Sequence, residues 1–380
     1  ELRNLLARGG LIGGTSAGAA IMTRVMIASG NPLPNIRTGL DLLPGAIVDQ
    51  HFSERNRLPR LRTAIGKHPG RFGIGIDEET AVVVRGRSMR VLGAGGATLV
   101  FAESDAGPEV VRKVPAGQRL DLTSLRRIAQ QRLHPEFPPA EPAPPVVESG
   151  SLVIVGGGGM PANVTKTFIE LAGGPEALIV ILPTAVPPSP NFDPKRESAF
   201  FRRAGARNVV VLDAREREDV ESREFAETIA EAGGLWFGGG RQWRFVDAYG
   251  GTKAERWFHG ILNRGGVIGG SSAGASIQGE FLARGNPLGN LDIMAPGYER
   301  GFGYLPGAAI DQHFAQRKRF QDMTQLVNRH PQLLGIGVDE GTALIVQGRV
   351  GRVAGRGQVH FYDRRQPLIP GHPDYDSAPA

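Results

Sequence analysis

The stretch Val267-Ile-Gly-Gly-Ser-Ser-Ala-Gly-Ala-Ser276 decides the fold. Apolar residues lead into Gly270-Ser-Ser-Ala-Gly274, a G-x-S-x-G pattern, and the small residues of that pattern permit a sharp strand-to-helix turn that pushes a serine hydroxyl out at the strand's end. The spacing predicts a strand over 266–269 and a helix over 275–281. The following helix N-terminus and the N–H after the serine favour developing negative charge. A glycine-rich turn with a serine merely capping a helix is the plainer alternative. The same stretch occurs 256 residues earlier as Leu11-Ile-Gly-Gly-Thr-Ser-Ala-Gly-Ala-Ala20, with Ser16 in the place of Ser272.

Two further stretches repeat. Leu43-Pro-Gly-Ala-Ile-Val-Asp-Gln-His-Phe52 returns as Leu305-Pro-Gly-Ala-Ala-Ile-Asp-Gln-His-Phe314, and Gly73-Ile-Gly-Ile-Asp-Glu-Glu-Thr-Ala81 returns as Gly335-Ile-Gly-Val-Asp-Glu-Gly-Thr-Ala343. The chain therefore holds two copies of one module. The offset grows from 256 at Ser16/Ser272 to 262 at His51/His313, which places about six extra residues of the second copy in the loop around 290–303. His134-Pro-Glu-Phe-Pro-Pro-Ala-Glu-Pro-Ala-Pro-Pro145 favours extended polyproline II and reads as a semi-rigid linker.

The copies are unequal, because residues 151–256 have no partner in the first. That segment carries four Val- and Ile-rich runs, 152–155, 177–182, 208–212 and 235–237, separated by helical patterning such as 222–232. Alternating buried strands and helices imply an α/β architecture of three layers around a mostly parallel, doubly wound sheet. The first copy lacks the central strands of its own sheet and is expected to expose an apolar edge. The expected organisation is a truncated module over 1–133, a linker over 134–150 and a complete module over 151–380. Glu1-Leu2-Arg3 shows neither an initiator Met nor a signal pattern and reads as a start in mid-protein.

Composition narrows the chemistry. With no cysteine among 380 residues, disulfides, thiolate metal sites and a cysteine nucleophile are excluded. No apolar run reaches membrane-spanning length, and a cytoplasmic location is the expectation. The formal net charge of +6 invites a nucleic-acid reading, but Arg126-Arg127 and Arg202-Arg203 sit among acids and apolar residues without aromatic platforms. A solvated mixed-charge surface is the better account, and neither nucleic acid nor membrane is expected as a partner.

A serine nucleophile needs a base, and only His51/His313 and His68/His330 recur in both copies. The second pair precedes proline after helical patterning and suits a helix-end cation. The first pair follows an apolar strand in Asp-Gln-His-Phe, where a polar cluster at a strand end suits a ligand-facing site, so His313 is the candidate base. An orienting carboxylate could come from Asp339 or Glu340, and from Asp77 or Glu78 in the first copy. Neighbours on a strand point to opposite faces, so only one of each pair should reach the histidine. Asp311 lies so near His313 that fixing the local turn is its expected role. The run Gly238-Gly-Gly-Arg-Gln242 offers close backbone approach and a second oxyanion N–H, from Gly240 beside that of Ala273. Gly156-Gly-Gly-Gly-Met-Pro161 lacks the last glycine of a dinucleotide fingerprint, and no acidic cluster has metal-ligand spacing.

These motifs together resemble the cyanophycinase family of serine peptidases, relatives of the alpha-aspartyl dipeptidases with a fold similar to class I glutamine amidotransferases. The resemblance covers most of 151–363 and, in truncated form, 1–133. It rests on residues 270–275, 311–319, 337–343 and Phe-Gly-Gly-Gly-Arg-Gln at 237–242. It implies a catalytic Ser272, His313 and Glu340, and a substrate pocket lined by Gln242, Asp311, Gln312, Arg317 and Arg319. Matching first-copy positions are Ser16, His51, Glu78, Asp49, Gln50, Arg55, Arg57 and Arg60, a site expected to be incomplete. It implies no metal or organic cofactor, and a tendency to dimerise that makes either a homodimer or an intrachain pseudo-dimer the expectation.

The pattern is departed from in three ways. Arg241 stands where the family carries an acid, which works against an arginine-bearing substrate. Asp322 stands where the first copy has Arg60. The truncation removes any first-copy counterpart of Gln242 and of the glycine turn. The expected activity is hydrolysis of aspartate-rich or isoaspartyl peptides such as cyanophycin, an arginyl-polyaspartate. An aspartyl dipeptidase and a catalytically impaired binding module are the rival expectations.

Overall fold

The computed structural model describes residues 1–380, which divide into two compact units, Glu1–Pro139 and Ala140–Ala380. The boundary falls inside the proline-rich stretch. The strand Val147–Val155 begins earlier than the linker reading allows, because Val147 is already buried in the second unit's core.

In the second unit, a seven-stranded sheet runs in the order Val209–Val211, Ile179–Leu182, Gly234–Phe237, Val267–Ser271, Val147–Val155, Thr342–Gly348, Val350–Gly355. The first five strands are mutually parallel; Thr342–Gly348 runs against them, and Val350–Gly355 pairs antiparallel with Thr342–Gly348. Strand alternation sorts the core onto two faces. Leu152 and Ile154 join Leu235, Phe237, Ile268 and Phe258 in one cluster, while Val153 and Val155 join Phe168, Phe201 and Trp236 in another. A strand buried on both faces reads as a continuous apolar run, which explains the Val- and Ile-rich segments.

A second, five-stranded sheet is not separable from the pattern alone: Gly279–Phe281, Leu305–Gln312, Leu334–Val338, Gln358–Asp363, Asp376–Pro379. Its first strand occupies residues expected to be helical. The helix after Ser272 spans only Ala273–Ser276, and the chain re-extends at Gly279 to pair with Leu305–Gln312.

The first unit keeps the strands Ala46–Gln50, Phe72–Ile76, Gly96–Phe101 and Val110–Pro115 in one sheet, and Thr80–Arg85, Ser88–Gly93 and Arg119–Asp121 in another, with a hairpin Val25–Ser29/Asn35–Thr38. Its helix Leu122–Gln131 starts at Asp121, whose carboxylate accepts the Ser124 N–H at 2.8 Å, and buries Leu122, Leu125 and Ala129. Leu11–Gly14, the counterpart of Val267–Gly270, forms no strand, and Leu11 is 86% exposed where Val267 is fully buried. No helix of the chain is long and apolar enough to cross a membrane.

Candidate active site

The candidate residues of the second unit gather at the carboxyl ends of parallel strands: Gly156 after Val155, Gly238 after Phe237, Ser272 after Ser271, His313 after Gln312 and Asp339 after Val338, with Asp311 and Gln312 the last two residues of their strand. Ligand sites of open α/β sheets gather at these ends.

Ser272 sits at φ +56°, in a region that non-glycine residues enter only when their surroundings enforce it. The enforcement is steric. A Cβ on Gly270 would lie 2.3 Å from the Gly274 carbonyl oxygen, and one on Gly274 would lie 2.0 Å from that of Phe237. Ser272 Oγ–H donates to His313 Nε2 at 2.9 Å, and His313 Nδ1–H donates to Glu340 Oε1 at 2.5 Å. That tautomer leaves Nε2 with a free lone pair. Burial pushes the His313 imidazole below its ordinary value of 6.5; the hydrogen bond to Glu340 works against this and nearby Arg317 works with it.

Asp339 turns away from His313. It accepts the Ala315 N–H at 3.0 Å and the Gln358 N–H at 3.1 Å, and meets His360 Nε2 at 3.2 Å. The two neighbouring carboxylates thus divide between the histidine and the backbone that carries it.

Gly156–Gly159, which the sequence offers only as a dinucleotide loop, underlies this relay. Gly156 C=O accepts the His313 N–H at 2.7 Å, and Gly157 C=O accepts the Gly341 N–H at 2.8 Å. A Cβ on Gly157 would fall 2.3 Å from the imidazole, and one on Gly158 would fall 2.5 Å from the Glu340 carboxylate. In the 238–240 turn, Gly239 is the residue whose Cβ position faces Ser272, at 3.6 Å, whereas that of Gly240 faces the Ala185 carbonyl. Gly238 and Arg241 spend their N–H groups on Leu182 and Ala185, and the two glycines between them do not.

The expected pocket residues separate into two groups. Asp311 is fully buried between guanidinium groups and also accepts the Gln312 N–H, so it does more than fix a turn. Arg319 is buried and donates to Asp311 and to the Gln312 carbonyl, each at 2.7 Å, which makes it a support rather than a projecting arm. Gln242 is buried with its Nε2 on the Ala283 carbonyl. Arg317 is exposed, and Gln312 Oε1 is buried with no hydrogen-bond partner. Arg241 does not confront a substrate cation: its guanidinium donates to the Asn286 and Gly289 carbonyls at 2.6 Å.

In the first unit Ser16, at φ +53°, lies 2.9 Å from His51 Nε2, and His51 Nδ1 lies 2.7 Å from Glu78 Oε1. Asp49 is buried against Arg60, Arg57 donates to Gln50, and Arg55 is exposed. This unit holds no counterpart of Gly156–Gly159, of the 238–240 turn or of Gln242. The His51 and Glu78 side chains are 25% and 48% exposed, against 11% and 36% for His313 and Glu340. His68 and His330 do lie at helix ends, the latter as the C-cap of Phe320–Arg329, but burial, then Arg71 and Lys67, lower the His68 pKa below 6.5 and so work against a cation there, while His330 packs its ring 5.3 Å from that of Phe281.

The family model of Peptidase family S51 matches residues 1–92 and 152–353. The chain belongs to this family. The peptidase is 30% identical over 219 residues to a cyanophycinase of Geminocystis herdmanii, a match spanning 56% of this chain and 80% of that one. It is 32% identical over 208 residues to a cyanophycinase of Synechococcus elongatus, spanning 53% of this chain and 64% of that one. A solved peptidase from an acI-B1 Actinobacterium aligns with 61% of this chain and 95% of its own, at 23% identity and a TM-score of 0.49. The split match places family sequence in both units, and the chain is a hydrolase acting on peptides.

Proposed function

We propose that this peptidase hydrolyses aspartate-rich or isoaspartyl-linked peptides, such as cyanophycin, at Ser272. The observation that carries the reading is the relay from Ser272 Oγ through His313 to Glu340, assembled at strand ends on a glycine floor. As Ser272 Oγ attacks the scissile carbonyl carbon, its proton passes to His313 Nε2, and the imidazolium is stabilised by Glu340 through Nδ1–H. The N–H of Ala273 and those of the Gly239–Gly240 turn stabilise the oxyanion. His313 hands its proton to the leaving amine, then takes one from the water that attacks the acyl carbon and returns it to Ser272 Oγ as the Oγ–acyl bond breaks. Its lowered pKa keeps it neutral, and so able to act as a base, at neutral pH.

For the substrate, Arg317 is the exposed guanidinium beside His313, suited to grip an aspartyl carboxylate. The name of the relatives, cyanophycinase, agrees with that chemistry. Ser272→Ala should lower hydrolysis of an aspartyl-arginine polymer or peptide by about 10⁶-fold, the scale of losing a serine nucleophile. Full activity in that variant would sink the reading. Product sizes from a long polymer separate internal cleavage from dipeptide trimming.

A further inference from the structure

Both units bury an aspartate against two guanidiniums, of which one, Arg57 or Arg319, is shared by the two copies and the other comes from a different element in each. In the first unit it comes from the helix Leu58–Gly66: Arg60 Nε donates to Asp49 Oδ2 at 2.7 Å, and Nη1 to the Gly30 carbonyl at 2.9 Å. In the second unit that helix position is Asp322, and the guanidinium comes from the loop. Arg284 Nε donates to Asp311 Oδ1 and Oδ2 at 3.1 and 2.9 Å, Nη1 to the Asn290 and Leu291 carbonyls at 3.1 and 2.8 Å, and Nη2 to Asp322 Oδ2 at 2.5 Å. Arg284 is 2% exposed and Asp311 fully buried.

A shared stretch fixes the correspondence. Ala28-Ser-Gly-Asn-Pro-Leu33 returns as Ala283-Arg-Gly-Asn-Pro-Leu288, so Arg284 stands where the first copy has Ser29. Arg284 turns inward because it sits at φ +60°, a conformation unusual for a long side chain. The pair Ser29/Arg60 has become Arg284/Asp322, with the charge moved from helix to loop. Without Arg284 the buried Asp311 would keep only Arg319, and an arginine at 322 beside a retained Arg284 would remove the Asp322 partner and crowd a further cation into the buried cluster, so each half of the change is penalised alone.

The exchange also alters the neighbouring glutamine. In the first unit Gln50 Oε1 accepts from Arg57 Nη1 and, at 3.4 Å, from Arg60 Nη2. In the second, Arg319 keeps the bond to the Gln312 backbone carbonyl that Arg57 makes to that of Gln50, but neither Arg319 nor Arg284 donates to the Gln312 side chain, and Oε1 is left buried and unpartnered. A buried acceptor without a donor is costly, and a ligand N–H offsets that cost on binding.

We propose that Arg284 is a positioning residue of the second unit's pocket: by neutralising Asp311 from the loop side it leaves Gln312 Oε1 free to accept an N–H of the substrate. This rests on the reading of the Ser272 site given above. The substrate class so selected carries an amide or guanidinium N–H next to the carboxylate held by Arg317.

The test uses the full chain as four proteins: wild type, Arg284→Ser, Asp322→Arg and the double variant. Thermal unfolding, Ser272 labelling by a fluorophosphonate, and KM for an aspartyl-arginine peptide are measured on each. Each single variant should lower Tm, and the double variant should regain it, since it rebuilds the first unit's arrangement. KM should rise at least tenfold in Arg284→Ser and stay raised in the double variant, where the introduced guanidinium on the helix comes within reach of Gln312 Oε1 as Arg60 does of Gln50 at 3.4 Å, while labelling stays within threefold of wild type in the double variant. Additive losses of Tm would overturn the exchange. A wild-type KM in Arg284→Ser or in the double variant would overturn the positioning role. If wild type is labelled at Ser272 but turns over no aspartyl peptide, the substrate reading falls and takes the Gln312 role with it, while the Tm cycle still decides the exchange.

Discussion

The two units carry the same three side chains at nearly the same separations, 2.9 and 2.7 Å in the first and 2.9 and 2.5 Å in the second, yet they are different sites. The strand Val147–Val155 and its glycine loop close the second from below, and Gly234–Phe237 with its turn closes it from the side. The first unit has neither. A hydrogen-bonded relay is therefore local, made by three short motifs, whereas its shielding from water and the N–H groups proposed as oxyanion donors belong to the sheet. Distances alone would rank the two units as equals; burial and the surrounding N–H groups do not.

The widest gap between the units should appear in reactivity. A fluorophosphonate should label Ser272 at least ~100-fold faster than Ser16, the scale of one missing oxyanion donor. Equal rates, read by peptide mass spectrometry, would break the comparison. Next is Gly157→Ala, which places a methyl group 2.3 Å from the His313 ring at a residue with φ +97°. A displacement of the base of that order should lower kcat/KM about 10²-fold while Ser16 labelling is unaffected.

A smaller effect distinguishes two equivalent glycines. Gly274→Ala meets the Phe237 carbonyl and should destabilise by about 1–3 kcal/mol, whereas Gly18 has nothing within 4 Å and Gly18→Ala, in a helix, should be neutral or mildly stabilising. Calorimetry on the two variants checks this. The smallest effect is in pH dependence. The proposed relay requires neutral His313, whose protonated form is disfavoured first by burial, so the acid limb of kcat/KM should fall at a pH below 6.5. Arg317→Ala removes a cation that assists this depression and should move the limb upward. The same sign governs stability: the contribution is present above pH 6.5 and lost as pH falls through the folded value.

Much of the site is legible from the chain because its motifs are short, contiguous and doubled. Ser272, His313 and the Asp339-Glu340 pair each end an apolar strand; repetition narrows the histidines to His313 and His330, and the strand-end setting singles out His313. The choice between Asp339 and Glu340 is not legible, since alternation says that they diverge but not which way. The division of labour among the basic residues is hidden too. Arg319 reads like Arg317 in sequence, but eight residues from Asp311 it is pulled into a buried pair. Arg284 carries no signal by itself, because its meaning depends on a backbone turn at positive φ and on Asp322, 38 residues away. The glycine floor escapes a local reading for a similar reason. Gly157 meets His313 only because Val147–Val155 lies between Val267–Ser271 and Thr342–Gly348, an order that no local pattern specifies.

The positive φ at Ser16 and Ser272 restricts which nucleophile the fold can carry. A β-branched residue is a genuine outlier at such a backbone angle, so threonine is excluded at both elbows before its hydroxyl chemistry is ever consulted. Serine is retained here as much by the shape of the main chain as by the reaction, and a search for alternative nucleophiles on this scaffold is confined to side chains unbranched at Cβ.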